Sequence, residues 1–169
     1  MTIERVVLGI DPGTATLGYG VVAATEGHIS FRGCGALATQ PTSPLPERLL
    51  QLFLGLGDVV RQYAPTEVAV EQLFFARNVS TAMAVGQARG VVLLVAAQHG
   101  LAVAEYTPLQ VKQAVAGAGR ADKQRVQEMV RALLRLEFSP RPDDAADALA
   151  LAICHANTAA FRERLVRAR

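Results

Sequence analysis

Residues 6–23 read VVLGIDPGTATLGYGVVA, and this stretch decides the fold of the 169-residue chain. Two runs rich in valine, leucine and isoleucine, which favour strands, lie on either side of the turn-forming sequence Pro12-Gly13-Thr14. A second turn, Glu26-Gly27, leads into a third apolar run over residues 29–37. Three strands joined by short turns predict an antiparallel meander.

The rest of the sequence alternates between helical and short strand patterns. Helices are predicted from residue 45 to before Pro65, over about 80–98, 108–116 and 121–136, and from about 143 past 155, with short strands over 68–70 and 101–104. Because a helical crossover leads to each short strand, we expect both to join the meander edge as parallel neighbours. The sequence therefore predicts an α/β protein whose five-stranded mixed sheet has three antiparallel strands plus two parallel ones, flanked by helices on both faces.

Composition excludes several classes of protein. Hydrophobic residues make up 51% of the chain and charged residues 19%, which excludes a disordered or strongly acidic chain. The longest apolar run, residues 91–97, is too short to cross a bilayer, so we expect no membrane association and a cytoplasmic location. Residues 159–169 contain four arginines and are expected to form a flexible basic tail.

Acidic residues stand at the ends of two predicted strands and on one predicted helix. Asp11 ends an apolar strand, where burial of a lone charge is costly, and Glu71 ends the fourth strand in the same way. If the two strands are neighbours, both carboxylates reach the same edge of the sheet. Asp144 and Asp147 lie three residues apart on one face of an otherwise apolar helix.

Each acid has an ordinary explanation when taken alone. Asp11 would suit a turn, Glu71 a surface position, Asp143 a helix N-cap, and Asp144 and Asp147 a solvated helix face. Gathered together, however, these carboxylates would repel one another and raise the pKa of at least one, and divalent cations would relieve the repulsion. Oxygen ligands suit Mg²⁺ or Mn²⁺, and two such ions can promote phosphodiester hydrolysis. The pattern therefore predicts a metal-dependent nuclease.

Four segments resemble the motifs of the RuvC family of bacterial Holliday junction resolvases in their order and spacing. They are GIDPGT at residues 9–14, EQLF at 71–74, GQARG at 86–90 and DAADALA at 144–150, and the resemblance extends from residue 6 to about 155. It implies an RNase H-like nuclease domain over residues 1–158 and paired symmetrical nicks in four-way DNA junctions. It assigns catalytic and metal-ligand roles to Asp11, Glu71, Asp144 and Asp147.

The resemblance also implies cofactors and partners. These are Mg²⁺, with two ions per subunit and Mn²⁺ able to substitute, a second copy of the chain in a homodimer, and the branch-migration proteins RuvA and RuvB. The implied processes are homologous recombination and DNA repair.

Candidate DNA contacts follow the second acidic motif. Neighbouring side chains in extended chain point to opposite faces, so Phe74 and Phe75 cannot both enter one core. With Arg77 nearby, an exposed ring could stack on an unpaired base at a junction centre. The resemblance assigns that role to Phe74, and core packing is the alternative for either ring.

The two lysines of the chain, Lys112 and Lys123, lie in residues 111–141, a segment with seven basic and three acidic residues. Lysine offers a compact mobile charge for contacting a phosphate, and the resemblance supports this DNA-binding role, although a solvated helix surface would explain both residues as well. Arg89 is expected to be either a DNA contact or an ion-pair partner.

Small residues recur at every fourth position on the helix predicted over about 80–98, at Ala82, Gly86 and Gly90, and allow another backbone to approach closely. The sheet, a partner subunit and DNA are all possible neighbours of this stripe.

Three other functions are compatible with parts of the sequence. A nuclease that processes ribosomal RNA precursors would share the GIDPG opening but would not need Phe74 or the motif at residues 86–90. An actin-like or sugar-kinase ATP-binding domain requires a second phosphate loop and an adenosine site, for which 169 residues leave no room. A catalytically dead junction-binding module would be expected to have lost acids that are all present here.

Overall fold

The structure, a computed structural model, describes residues 4–73 and 79–167. Its strands are β1 (Arg5–Asp11), β2 (Thr16–Thr25), β3 (His28–Ala38), β4 (Glu67–Glu71) and β5 (Ala102–Tyr106). Its helices are α1 (Leu45–Tyr63), α2 (Val79–Gln98), α3 (Pro108–Ala116), α4 (Lys123–Leu133) and α5 (Asp143–Arg167). The predicted order of strands and helices is confirmed.

The five strands form a single mixed sheet with the order β3-β2-β1-β4-β5. β1 pairs antiparallel with β2 and parallel with β4, and β4 pairs parallel with β5. The meander and the two parallel neighbours are therefore arranged as the sequence predicted.

The sheet has an apolar core on each face. Neighbouring residues Val7 and Leu8 of β1 point to opposite faces, and both are fully buried. On one face Val7 joins residues of α3, α4 and α5, among them Leu149. On the other face Leu8 packs with residues of α1 and α2. This arrangement confirms the prediction of helices on both faces.

α5 lies directly on the backbone of β1 and β2 because three strand positions lack a side chain. An added Cβ at Gly9 would lie 2.0 Å from the Ala148 carbonyl oxygen, and one at Gly18 would lie 2.2 Å from the Asp144 carbonyl oxygen. At Gly20 a Cβ would lie 2.6 Å from the backbone nitrogen of Leu149. Glycine at these positions therefore sets how closely α5 approaches the sheet.

Side-chain caps fix where the two lysine-bearing helices begin. At α3, the Thr107 hydroxyl accepts a hydrogen bond from Gln110 N at 3.1 Å, and the Gln110 side chain accepts one from Thr107 N at 2.8 Å. At α4, Asp122 Oδ1 accepts a hydrogen bond from Arg125 N at 2.7 Å. α4 therefore begins at Lys123, later than predicted, because Asp122 caps the helix instead of joining it.

The last helix is longer than the sequence indicated. α5 continues without a break past residue 158 and reaches Arg167, so residues 159–167 are helical, and the flexibility expected of the basic tail stays a prediction. Alanine, leucine, glutamate and arginine, all strong helix formers, account for most of this segment. An ion pair between Arg5 and Glu163, 2.7 Å long, also holds this part of α5 to β1. The domain boundary at residue 158 stays a prediction.

One helix in the described part of the chain, α2, is long and apolar enough to cross a membrane by length and composition alone. Core helices of soluble proteins share this property. Within α2, Ala88, Val92, Val95 and Ala96 belong to the core beside α1.

Gly18→Ala should destabilise the protein by about 1–3 kcal/mol, because its methyl group would overlap the backbone of α5 at Asp144. Urea unfolding measures this change. Gly57→Ala is the matched control, since a Cβ there meets only the flexible end of Arg61, at 3.4 Å. Equal unfolding midpoints for the two variants would contradict the close contact.

Candidate active site

Asp11 and Glu71 are the last residues of neighbouring parallel strands. The register pairs Ile10 with Val70, so the next position on each strand brings the two acids to the same edge of the sheet. Side chains alternate along a strand, and Asp11 therefore lies on the same face as Gly9, which contacts α5. The sequence prediction that these acids meet is confirmed.

α5 brings two more carboxylates to the same edge. Asp144 contacts Gly18 through its backbone, and Gly18 is the antiparallel partner of Asp11. Asp147 follows about one turn later on the same side of the helix. The first turns of α5 thus place both aspartates over the ends of β1 and β4.

The four acids form one electrostatic cluster. Burial, together with the charges of Asp147, Asp144 and Glu71, raises the pKa of Asp11 from 3.8 to about 7. Burial and the charge of Asp147 raise the pKa of Glu71. The pKa of Asp147 is also raised, mainly by burial, although Lys123 acts in the opposite direction. The predicted repulsion between the carboxylates is therefore present.

Lys123 is the counter-charge of this cluster. Its Nζ lies 3.2 Å from Asp147 Oδ2 and 3.4 Å from Asp143 Oδ2. Desolvation acts to lower the pKa of Lys123, but the contacts with the two aspartates outweigh it and raise the pKa. The ammonium group of Lys123 therefore offsets part of the negative charge of the acidic cluster.

A cavity of about 220 Å³ opens between the strand ends, α3, α4 and α5. Its polar lining consists of three of the predicted acids and both lysines, namely Asp11, Glu71, Asp147, Lys112 and Lys123. A larger groove of about 670 Å³ runs along α4 and is lined by none of the predicted site residues. Because chemistry needs titratable groups that converge, the smaller cavity is the candidate active site.

The donor set of this cavity fits a hard divalent cation. Carboxylate oxygens are the ligands that Mg²⁺ and Mn²⁺ prefer, and burial together with the charges of neighbouring acids raises the pKa of Asp11 and of Glu71. Within residues 4–73 and 79–167, no three acidic, histidine or cysteine side chains stand close enough together to enclose an ion. A cation bound by Asp147 would compete with Lys123 for its carboxylate.

The other predicted DNA contacts do not line this cavity or lie outside the described residues. Arg89 is largely buried, with 12% of its side chain exposed, and forms an ion pair with Glu105 of β5. This contact is the structural alternative that the sequence left open, and a DNA contact by Arg89 stays a prediction. Phe74, Phe75 and Arg77 lie outside the described residues.

Sequence reasoning missed one member of the acidic cluster. Asp143 was expected to cap α5, but its carboxylate accepts a hydrogen bond from Gln127 Nε2 at 3.2 Å and pairs with Lys123 and Arg141. The partners belong to α4 and to the loop before α5, and no spacing in the sequence relates them to Asp143.

Sequence reasoning also missed a hydrogen-bonded group between α5 and the sheet, in which the buried His155 contacts Tyr106 and the partly exposed Glu67. A signal was available: His155 lies two turns after Asp147 on the same helix, and a histidine in so apolar a stretch needs partners.

Comparison with known proteins agrees with this geometry. The family model for crossover junction endodeoxyribonuclease RuvC matches residues 7–155. The crossover junction endodeoxyribonuclease RuvC of Chloroflexus aurantiacus is 59% identical over 157 residues, which are 93% of this chain and 96% of that protein. A structure of T. thermophilus RuvC in complex with Holliday junction substrate has a TM-score of 0.88 and 43% identity, and covers 93% of this chain and 96% of that one.

A more distant structure supports the fold alone. The yeast mitochondrial Holliday junction resolvase Ydc2 has a TM-score of 0.63 at 15% identity, over 93% of this chain and 82% of that one. The sheet order, the helices on both faces and these matches together establish the RNase H-like fold. The chain belongs to the crossover junction endodeoxyribonuclease RuvC family.

Proposed function

We propose that the chain is a structure-selective endonuclease that resolves four-way DNA junctions by paired symmetrical nicks, in homologous recombination and DNA repair. The observation that carries this proposal is the convergence of three elements, β1, β4 and α5, which gather the family's acidic residues beside two lysines. The T. thermophilus relative was solved with a Holliday junction substrate, which supports junction DNA as the substrate class.

Asp11, Glu71, Asp144 and Asp147 would hold the metal, for which we propose two Mg²⁺ ions per subunit, with Mn²⁺ able to substitute. Divalent cations bound there supply the charge that offsets the carboxylates and stabilises the attacking and leaving oxygens of phosphodiester hydrolysis. Burial and the charges of three neighbouring acids raise the pKa of Asp11 to about 7, and its carboxylate must be ionised to act as a ligand.

Lys112 and Lys123 are proposed to contact the DNA backbone. Both line the cavity that contains the acids, so a phosphate reaching the carboxylates passes close to two ammonium groups. Lys123 also neutralises Asp147 and Asp143. A cation that takes over the aspartates would release Lys123 toward the phosphate.

The homodimer is supported by the exposed face of α2. Val79, Met83 and Leu94 are 71%, 60% and 59% exposed, which is unusual for large apolar side chains of one helix. A Cβ at Gly90 would meet no atom within 4 Å, so this end of the small-residue stripe does not lie against the sheet in the described chain. Two symmetrical nicks require two active sites related by a two-fold axis, and this face suits such an interface.

The remaining assignments rest on family membership. We propose Phe74, Arg77 and Arg89 as DNA contacts, RuvA and RuvB as partners, and a cytoplasmic location. The ribosomal RNA nuclease and the ATP-binding domain are not favoured, because the RuvC family match extends over residues 7–155.

Asp11→Asn should reduce nicking of a mobile four-way junction in Mg²⁺ by more than about a hundredfold, because it removes a metal ligand. Loss of a residue that only supports a ligand costs up to about a hundredfold, so loss of the ligand itself should cost more. Junction binding should persist. A gel assay with junction, linear duplex and single-stranded RNA measures nicking, and gel shifts in EDTA measure binding. Asp58→Asn, at a carboxylate 75% exposed on α1, is the matched control. Retained nicking by Asp11→Asn, or nicking of RNA in preference to the junction, would refute the proposal.

Asp11→Asn should also change how stability depends on pH in EDTA. Because folding raises the pKa of Asp11 from 3.8 to about 7, the native state binds more protons than the unfolded state between these values. The contribution of Asp11 to the free energy of unfolding should therefore fall as pH rises from about 4 to about 7, and asparagine avoids this loss.

At pH 8 the variant should melt at least about 3 °C above the wild type, the shift expected for roughly 1 kcal/mol in a domain of this size. At pH 4 the difference should be much smaller. Thermal melts at the two pH values test this, with Asp58→Asn as a control that shows no such pH dependence. The same difference at both pH values would show that Asp11 ionises normally.

Lys112→Ala and Lys123→Ala should each weaken junction binding and make it less dependent on salt. Each lost phosphate contact lowers the slope of log K against log salt by roughly 0.9. Binding titrations from low to moderate salt measure the slope. Arg32→Ala, at an exposed residue of β3 paired with Glu4, is the control. Unchanged slopes would count against phosphate contact.

A further inference from the structure

His155, Tyr106 and Glu67 form a hydrogen-bonded column between α5 and the sheet. His155 and Tyr106 are 7% and 5% exposed. Nδ1 of His155 lies 2.8 Å from the Tyr106 hydroxyl, and Nε2 contacts the carboxylate of Glu67. The three side chains come from α5, β5 and β4 and join one helix to two strands.

The Glu67 carboxylate can only accept, so His155 donates to it from Nε2. The second ring nitrogen, Nδ1, shares a hydrogen bond with the Tyr106 hydroxyl. The other oxygen of Glu67 accepts from Arg5 Nε at 2.8 Å. Arg5 in turn donates to Glu163 at 2.7 Å, further along α5. α5 is therefore tied to the sheet at two points by directional contacts.

The column is connected to the active site through both strands and helix. Tyr106 is the register partner of Glu71, and its carbonyl accepts a hydrogen bond from Gln72 N at 2.8 Å. His155 follows Asp147 by about 12 Å along the helix, or roughly two turns, and so lies on the same face. A shift of α5 at His155 would move Asp144 and Asp147 by the same amount.

We propose that His155 and Tyr106 are positioning residues that set the axial register of α5 and thereby hold Asp144 and Asp147 over the ends of β1 and β4. The glycine contacts determine how close α5 lies to the sheet, and the hydrogen bonds of His155 add contacts that depend on the position of α5 along its axis. Hydrogen bonds are directional, and a shift of α5 along its axis would break the two that the buried His155 makes. The catalytic consequence rests on the proposed nuclease function.

Tyr106→Phe and His155→Leu test this role. Both should reduce the rate of junction nicking at saturating DNA and Mg²⁺ by roughly ten- to a hundredfold, since small displacements of catalytic groups have effects of this order. The affinity of the DNA-free protein for Mn²⁺, measured by calorimetry, should fall about tenfold or more. Junction affinity in EDTA should not change, because neither residue reaches the surface.

Two further variants separate positioning from stability. Val60→Ala removes a core side chain on the opposite face of the sheet and should lower the melting temperature without changing either nicking per folded molecule or Mn²⁺ affinity. His155→Gln keeps a donor for Glu67 and should recover part of the nicking rate and part of the Mn²⁺ affinity that His155→Leu loses.

The two readouts also distinguish this inference from the proposed function. If Tyr106→Phe and His155→Leu match the wild type in Mn²⁺ affinity and in nicking per folded molecule, the positioning role is wrong. If the wild type binds Mn²⁺ but does not nick junctions, the proposed function fails, and the Mn²⁺ affinities of the variants still decide the positioning role.

Discussion

The backbone of α5 contacts the backbone of the sheet, and the active site depends on this contact. Gly9, Gly18 and Gly20 leave no side chains between them and the helix, so α5 lies closer to β1 and β2 than ordinary packed side chains permit. At that distance Asp144 and Asp147 reach the ends of the central strands. A helix held further away would leave Asp11 and Glu71 without the two acids that complete the cluster.

This close contact creates an electrostatic cost that the fold partly offsets. Carboxylates buried together disfavour ionisation, as the raised pKa values of Asp11, Glu71 and Asp147 show. Lys123 reduces the repulsion through its contact with Asp147, and the cap at Asp122 fixes the start of α4, the helix that carries Lys123. The protein therefore combines a closely packed scaffold with a cluster whose negative charge a bound cation would offset.

Periodicity and turns predicted most of the fold, because valine-rich strands and capped helices have local signals. The meander followed from residues 6–37, and the parallel strands followed from the crossover rule. The acidic residues could also be found, since charges at the ends of apolar strands are unusual. Their meeting point followed once β1 and β4 were placed side by side.

Long-range contacts between side chains could not be predicted in this way. Asp143 had a good local explanation as a cap, and its partners on α4 are set by tertiary packing. Arg89 could contact DNA or form an ion pair, and only the position of β5 in the fold shows that Glu105 is close enough to pair with it. The bonds between Glu67, Tyr106 and His155 join residues up to 88 positions apart, for which a single sequence carries no pattern.

The distribution of the acids along the chain has a consequence for biosynthesis. Asp11 lies in the first strand, Glu71 near the middle, and Asp144 and Asp147 in the last helix. During translation, a nascent chain that lacks α5 has an exposed apolar sheet face and an incomplete set of acids. The four acids can therefore gather only after the last helix has emerged from the ribosome and docked on the sheet.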